Sequence, residues 1–89
     1  MYEITERLTH TQLIKGLLEL KEKYAGQAYK HKDGDVYWVV NSTVVNGEGG
    51  SKWGLIYSPL DELGVYVIHE IQHTRSLEEF LDGRFTRIQ

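Results

Sequence analysis

The fold is decided by residues 28–40, which read AYKHKDGDVYWVV. The second half of this stretch is crowded with β-branched and aromatic residues, which are typical of strands. The pair Asp33-Gly34 separates the two halves, and an Asp-Gly pair between two strand-like runs is typical of a hairpin turn. The stretch therefore predicts a hairpin of two antiparallel strands.

Two more strands are predicted after this hairpin. The glycine-rich residues 46–51 predict a flexible connection, and a third strand is expected from Lys52 to Ser58. Pro59 to Gly64 predicts a turn, and Val65 to about His73 predicts a fourth strand because its first residues are β-branched or aromatic. The central part of the chain thus predicts an antiparallel meander of four strands.

An amphipathic helix is predicted before the hairpin, from about His10 to Ala25. Thr9 and Gln12 have the spacing of a capping box, and Gly26 is placed to end the helix. Apolar residues recur at the three- and four-residue spacing of one helix face, namely Leu13, Ile14, Leu17, Leu18, Leu20 and Tyr24. The capping box, the apolar face and the terminal glycine therefore all predict the same helix.

A second capping box, Ser76 with Glu79, predicts a short helix near the end of the chain, and Phe85 to Ile88 predicts a closing strand. The expected fold class is α+β. An N-terminal amphipathic helix packs on a four- to five-stranded antiparallel meander or half-open barrel, with the short helix before the last strand. Because no linker or repeat divides the chain, residues 1–89 are expected to form a single domain.

Composition excludes several classes of function. The chain has 89 residues, 40% of them hydrophobic, which is enough for one modest core. It contains no cysteine, so a disulfide framework and a thiolate metal site are excluded, and a reducing, cytoplasmic location is expected. Neither a secretory leader pattern nor a run of about 20 apolar residues is present, so no membrane association is expected. The formal net charge of −3 disfavours general nucleic-acid binding.

Residues 69–73 read HEIQH and match the H-E-x-x-H pattern of zinc peptidases. In those enzymes a helix places the two histidines about 6 Å apart, whereas a strand separates the same positions by about 13 Å. Strand-like residues precede the motif and the Ser76 cap follows it, so we expect His69 and His73 to lie in extended structure without a shared metal. No catalytic residue, metal or cofactor is therefore predicted, and a zinc hydrolase is only a minor alternative.

Aromatic and basic residues alternate along the predicted strands. Flat rings suit stacking on a base or packing at a protein interface, and cations suit a phosphate. About half of these rings must belong to the core, because strand residues point alternately to opposite faces. The candidate ligand-binding residues are Tyr29, Lys30, His31, Lys32, Trp38, Trp53, His69, His73 and Arg75.

Residues 26–34, which read GQAYKHKDG, resemble a bacterial and phage family of unknown function built around a Gly-x-Tyr-x-His-x-Lys-Gly hairpin. Tyr37, Tyr57 and Phe80 extend the similarity, whereas Asp33 stands at the lysine position of the family. The resemblance implies a compact β module without established catalysis, often carried by phages. Small phage proteins of this kind include oligomeric anti-defence inhibitors that sequester signalling nucleotides.

The leading expectation is a non-catalytic binding module that forms a homo-oligomer and sequesters a nucleotide-like ligand. Because so small a domain has little concave surface, a subunit interface would enclose the ligand. The alternative is a protein-interaction adaptor or inhibitor that uses the same surface.

Overall fold

The structure is a computed structural model that describes residues 3–5, 7–47 and 49–88. The element bounds, in chain order, are β1 (Glu3–Ile4), α1 (His10–Tyr24), β2 (Ala28–His31), β3 (Val36–Gly47), β4 (Gly50–Pro59), β5 (His73–Ser76), α2 (Leu77–Phe80) and β6 (Phe85–Ile88). The fold class is α+β, as the sequence predicts, with a helix packed on an open antiparallel sheet. No helix of the described ranges is long and apolar enough to cross a membrane.

Six strands form one sheet in which every pair is antiparallel. Five of them follow the order β1-β4-β3-β2-β6, and β5 pairs with β4. Strand β4 has its outer edge divided between two short strands. Its first residues pair with β1, and residues 54–57 pair with β5. The predicted hairpins β2–β3 and β3–β4 are confirmed, and the closing strand β6 pairs with β2.

Both helices lie on the same face of the sheet, which we call the helix face. Directly paired residues share a face, so the pairs Tyr29↔Tyr37 and Val39↔Tyr57 identify it. Helix α1 is anchored there because the Ser42 hydroxyl donates a 2.6 Å hydrogen bond to the Leu17 carbonyl. The core lies between this face and the helices and consists of Tyr24, Tyr29, Val39, Leu55, Tyr57, Leu77 and Phe80.

The predicted helix caps are confirmed. Thr9 and Gln12 form a reciprocal capping box at the start of α1, with hydrogen bonds of 2.9 and 3.2 Å. The helix ends at Tyr24, one residue before the predicted end, and Gly26 follows with a φ of 78° that favours glycine. Ser76 caps α2 by accepting a hydrogen bond from the Glu79 amide, but the predicted box is only half formed, because the Glu79 carboxylate accepts from the Ser76 hydroxyl at 3.4 Å and not from its amide.

The predicted fourth strand, Val65 to His73, is wrong. Residues 61–72 form a loop that carries only one isolated bridge, Leu60↔Val67, and the strand that pairs with β4 begins at His73. The physical reason is local, because the Asp61 side chain accepts hydrogen bonds from the amides of Val65 and Tyr66 and folds the segment back. Strand propensity depends on context, and these local bonds override it.

Two further differences concern the sheet. The sequence predicts four or five strands and offers a half-open barrel as one arrangement, whereas the sheet is open and gains the two-residue strand β1 at its edge. The predicted flexible connection 46–51 is mostly strand, because β3 and β4 stay paired up to Gly47↔Gly50. Glu48, within that connection, lies outside the described residues.

Candidate functional site

An aromatic cluster covers one end of the helix face. The ring centroids of Tyr57 and His73 lie 5.4 Å apart in a stacked arrangement, and Tyr37 meets both rings edge-on at 5.1 and 5.7 Å. Phe85 packs against Tyr57 at 5.3 Å and stacks on Phe80 at 4.4 Å. His73 is the exposed member of this aromatic cluster, whereas Tyr57 and Phe80 are buried. The cluster therefore completes the core and presents one imidazole to solvent.

Arg75 borders the aromatic cluster and is already engaged. Its Nε donates a 2.8 Å hydrogen bond to the Tyr57 hydroxyl, a contact that raises the pKa of Arg75. Its Nη1 lies 3.4 Å from Glu79 Oε2, and the same oxygen lies 3.5 Å from Arg84 Nη1. Arg84 also contacts Asp82 at 3.0 Å. A phosphate would have to compete with these carboxylates for both guanidinium groups.

His31 is tied to the β2–β3 turn. Its Nδ1 lies 3.2 Å from the Asp33 amide and 3.1 Å from Asp33 Oδ1. One nitrogen cannot accept from the amide and donate to the carboxylate at the same time, but either arrangement holds the ring to the turn. The Asp35 amide donates to the Asp33 carboxylate, and this hydrogen bond, with His31, lowers the pKa of Asp33. His31 thus stabilises the β2–β3 turn through its contacts with Asp33.

The predicted site residues do not form one surface. Four of them, Tyr29, His31, His73 and Arg75, lie in or beside the aromatic cluster, and Tyr29 is buried there against Phe80. The other five are dispersed. Lys30 and Trp38 lie on the face opposite Tyr29, Trp53 lies against Gly16 of α1, Lys32 lies in a turn and His69 in the long loop.

The H-E-x-x-H segment is not helical. His69 lies in a turn of the loop, and His73 is the first residue of β5. The prediction that the two histidines lie in extended structure is therefore right for His73 and wrong for His69. Within the described ranges, no group of three or more His, Cys, Asp or Glu side chains is placed to hold a metal. The geometry on which zinc peptidases depend is not formed by this segment.

Residues 61–66, which we call the 61–66 loop, expose apolar side chains that the sequence does not predict to be exposed. Leu63, Val65 and Tyr66 are 84%, 65% and 72% exposed. Asp61 Oδ1 accepts hydrogen bonds of 2.8 and 3.2 Å from the Val65 and Tyr66 amides, and these bonds lower the pKa of Asp61. The Asp61 amide and carbonyl bond to Tyr66 and Gly64 as well, both at 2.9 Å. The loop is therefore ordered although its apolar side chains face water.

The 61–66 loop forms one wall of an open cleft of about 710 Å³. Residues 59–64 line one side, residues 34–37 line the other, and Ala28 and Ile88 complete the lining. Among the described residues, three carboxylates belong to the lining, from Asp35, Asp61 and Glu62, and no lysine, arginine or histidine does. The cleft thus combines apolar walls with negative charge.

A signal for this loop is present in the sequence. Asp61 and Gly64 are turn-forming residues, and an aspartate that precedes a turn often binds amides a few positions later. The same signal competes with the strand-like residues from Val65 to Ile68, and periodicity alone does not decide between them.

No family model, curated protein or solved structure matches the chain.

Proposed function

We propose that the protein is a non-catalytic protein-interaction module and that the 61–66 loop is the element that contacts the partner. The observation that carries this proposal is the exposure of Leu63, Val65 and Tyr66 on one short loop. Large contiguous apolar patches on the surface of soluble proteins often mark interaction sites. Tyrosine is also enriched at protein interfaces because it combines a large apolar ring with a polar tip.

Further support comes from the hydrogen bonds that order the 61–66 loop in the free protein. Asp61 makes bonds to Gly64, Val65 and Tyr66, so the loop has a defined shape in the free protein. Binding then costs less conformational entropy, which favours affinity. A flexible apolar loop would offer the same atoms without this advantage.

The nucleotide-like ligand remains the second candidate, because the Tyr57–His73 stack lies beside the guanidinium of Arg75. Two observations weigh against it. The carboxylate of Glu79 already engages Arg75 and Arg84, and the charged residues described in the lining of the 710 Å³ cleft are all acidic. Phage origin, an anti-defence role and sequestration of a signalling nucleotide stay predictions of the resemblance.

Titration calorimetry with mono-, di- and cyclic nucleotides tests this second candidate. Micromolar binding that is weakened in His73→Ala, or in the Trp38→Ala, Trp53→Ala or Lys32→Ala variants suggested by the sequence, would favour a nucleotide. Absence of binding below millimolar concentration would leave the protein-interaction proposal alone.

The main proposal is tested by affinity purification from the cells that encode the protein. We expect a partner that is retained by the wild type and reduced by roughly tenfold with Leu63→Ser, because truncated interface residues at central positions have effects of this size. Leu81→Ser is the matched control, since Leu81 is also exposed but lies beyond α2, away from the loop. Tyr66→Ser provides an independent loop variant. An identical set of retained proteins for the wild type and both loop variants would overturn the proposal.

A further inference from the structure

The cleft beside the 61–66 loop has a chemistry that selects its occupant. Its apolar lining comes from both sides, with Leu60 and Leu63 on one wall, Val36 on the other, and Ile88 on the edge strand β6. Its volume of about 710 Å³ is within the range of small-molecule sites, but such sites enclose most of their ligand. An open cleft of this size suits a short extended segment better than a small molecule that needs enclosure.

Two of the three carboxylates in the cleft, those of Asp35 and Glu62, can interact with a ligand. Asp61 is committed to the amides of the loop, but the ion pairs within the described ranges do not involve Asp35 or Glu62. Asp35 belongs to the hairpin wall and Glu62 to the loop wall, so a ligand in the cleft meets a carboxylate from each side. Phosphates and acidic peptides are repelled by such a site, whereas cations are attracted.

We infer that this cleft binds a segment of a protein partner in which a large apolar side chain is flanked by lysine or arginine. This inference rests on the proposed function, since the 61–66 loop supplies one wall of the cleft. The apolar side chain contacts Leu60, Leu63 and Val36, and the flanking cations lie near Asp35 and Glu62. Electrostatic complementarity of this kind accelerates association and rejects acidic competitors.

The test uses three capped hexapeptides as probes, KKLWKK, EELWEE and KKSSKK, titrated into the full-length ¹⁵N-labelled protein and followed by amide chemical shifts. We expect KKLWKK to shift amides of residues 34–37 and 60–64, and the other two probes to leave them unchanged. Asp35→Asn/Glu62→Gln is expected to weaken KKLWKK binding by roughly three- to tenfold, because each exposed ion pair contributes modestly. Glu22→Gln/Glu78→Gln removes the same charge from exposed helix positions and is the matched control.

Several results would overturn the inference. EELWEE could bind as well as KKLWKK, or the shifts could map to α1 or α2, outside the cleft. A third such result is that no probe shifts the cleft amides at about 1 mM, a concentration that detects even weak recognition. Shifts of the cleft amides on dilution without peptide would also overturn it, because a second copy of the chain would then occupy the cleft. If these results appear while Leu63→Ser still loses a partner in affinity purification, only the identity of the ligand is wrong. If Leu63→Ser loses none, the proposed function itself is wrong.

Discussion

At the scale of single residues, Tyr57 joins the core to the exposed edge of the aromatic cluster. Its ring is buried, and its hydroxyl accepts the 2.8 Å hydrogen bond from Arg75. Tyr57→Phe keeps the ring packing and removes only this acceptor, so we expect the free energy of unfolding to fall by about 1 kcal/mol. Urea denaturation measures this loss. Tyr66→Phe, at an exposed ring, should leave the midpoint unchanged, and equal midpoints for both variants would contradict the role assigned to Tyr57.

Asp61 makes the order of the 61–66 loop dependent on pH. Its pKa is lowered by the hydrogen bonds from the Val65 and Tyr66 amides, so the ionised form is the one that stabilises the loop. The contribution is fully present above the ordinary aspartate pKa of about 3.9 and is lost as the pH falls through the lower pKa of the folded protein. We expect the Val65 and Tyr66 amide shifts to titrate below that ordinary value. Asp61→Asn should abolish this titration, and an amide titration that persists in the variant would assign it to another group.

At the scale of elements, the junction between β4 and β5 depends on Gly54. A methyl group built at this position lies 2.6 Å from Val45 Cγ2 and 2.7 Å from the Arg75 carbonyl oxygen, and a backbone oxygen of a paired strand cannot move aside easily. We expect Gly54→Ala to lower the free energy of unfolding by about 1–3 kcal/mol, the usual cost of overpacking. Thermal unfolding followed by circular dichroism measures this change.

Gly47→Ala is the control for that prediction. Gly47 ends β3 of the same sheet, and apart from its chain neighbours no atom of the described residues lies within 4 Å of a methyl group built there. Both substitutions restrict the unfolded chain equally, so a difference between them isolates the contact at Gly54. If Gly54→Ala unfolds at the same temperature as Gly47→Ala, the β4–β5 junction is looser than its distances indicate.

At the scale of the whole molecule, the expected homo-oligomer remains a prediction. Ile14 and Leu18 lie one turn apart on α1 and are 56% and 58% exposed, so the helix has an apolar strip on its outer side. We expect light scattering to report a multiple of the 10.3 kDa chain mass and Ile14→Glu/Leu18→Glu to shift the protein toward the monomer. Leu63→Ser should not change the mass. A monomeric mass for the wild type at micromolar concentration would contradict this prediction and remove the case for an interfacial ligand pocket.

By itself, the sequence determined the elements whose signals act between near neighbours. Three such signals are the Thr9–Gln12 capping box, the Asp33-Gly34 turn and the Ser76 cap. Each joins residues at most a few positions apart, so it can be predicted without knowledge of the fold. Together with the change from helix to strand periodicity at Gly26, they predict the α+β class. They do not predict which elements become neighbours.

Only the tertiary structure decided where the side chains of the predicted site residues lie. His31, His73 and Arg75 meet the aromatic cluster because β5 pairs with β4 and β6 pairs with β2, and strand order is a long-range property. Two local tendencies compete in the segment after Asp61, strand propensity and hydrogen bonds to its carboxylate, and the residue types alone do not rank them. The folded chain ends β4 pairing at Pro59 and lets Asp61 close the loop, which leaves Leu63 exposed beside the cleft. In this segment the hydrogen bonds to Asp61 prevail over strand propensity, and β5 pairs with residues 54–57 at the edge of β4.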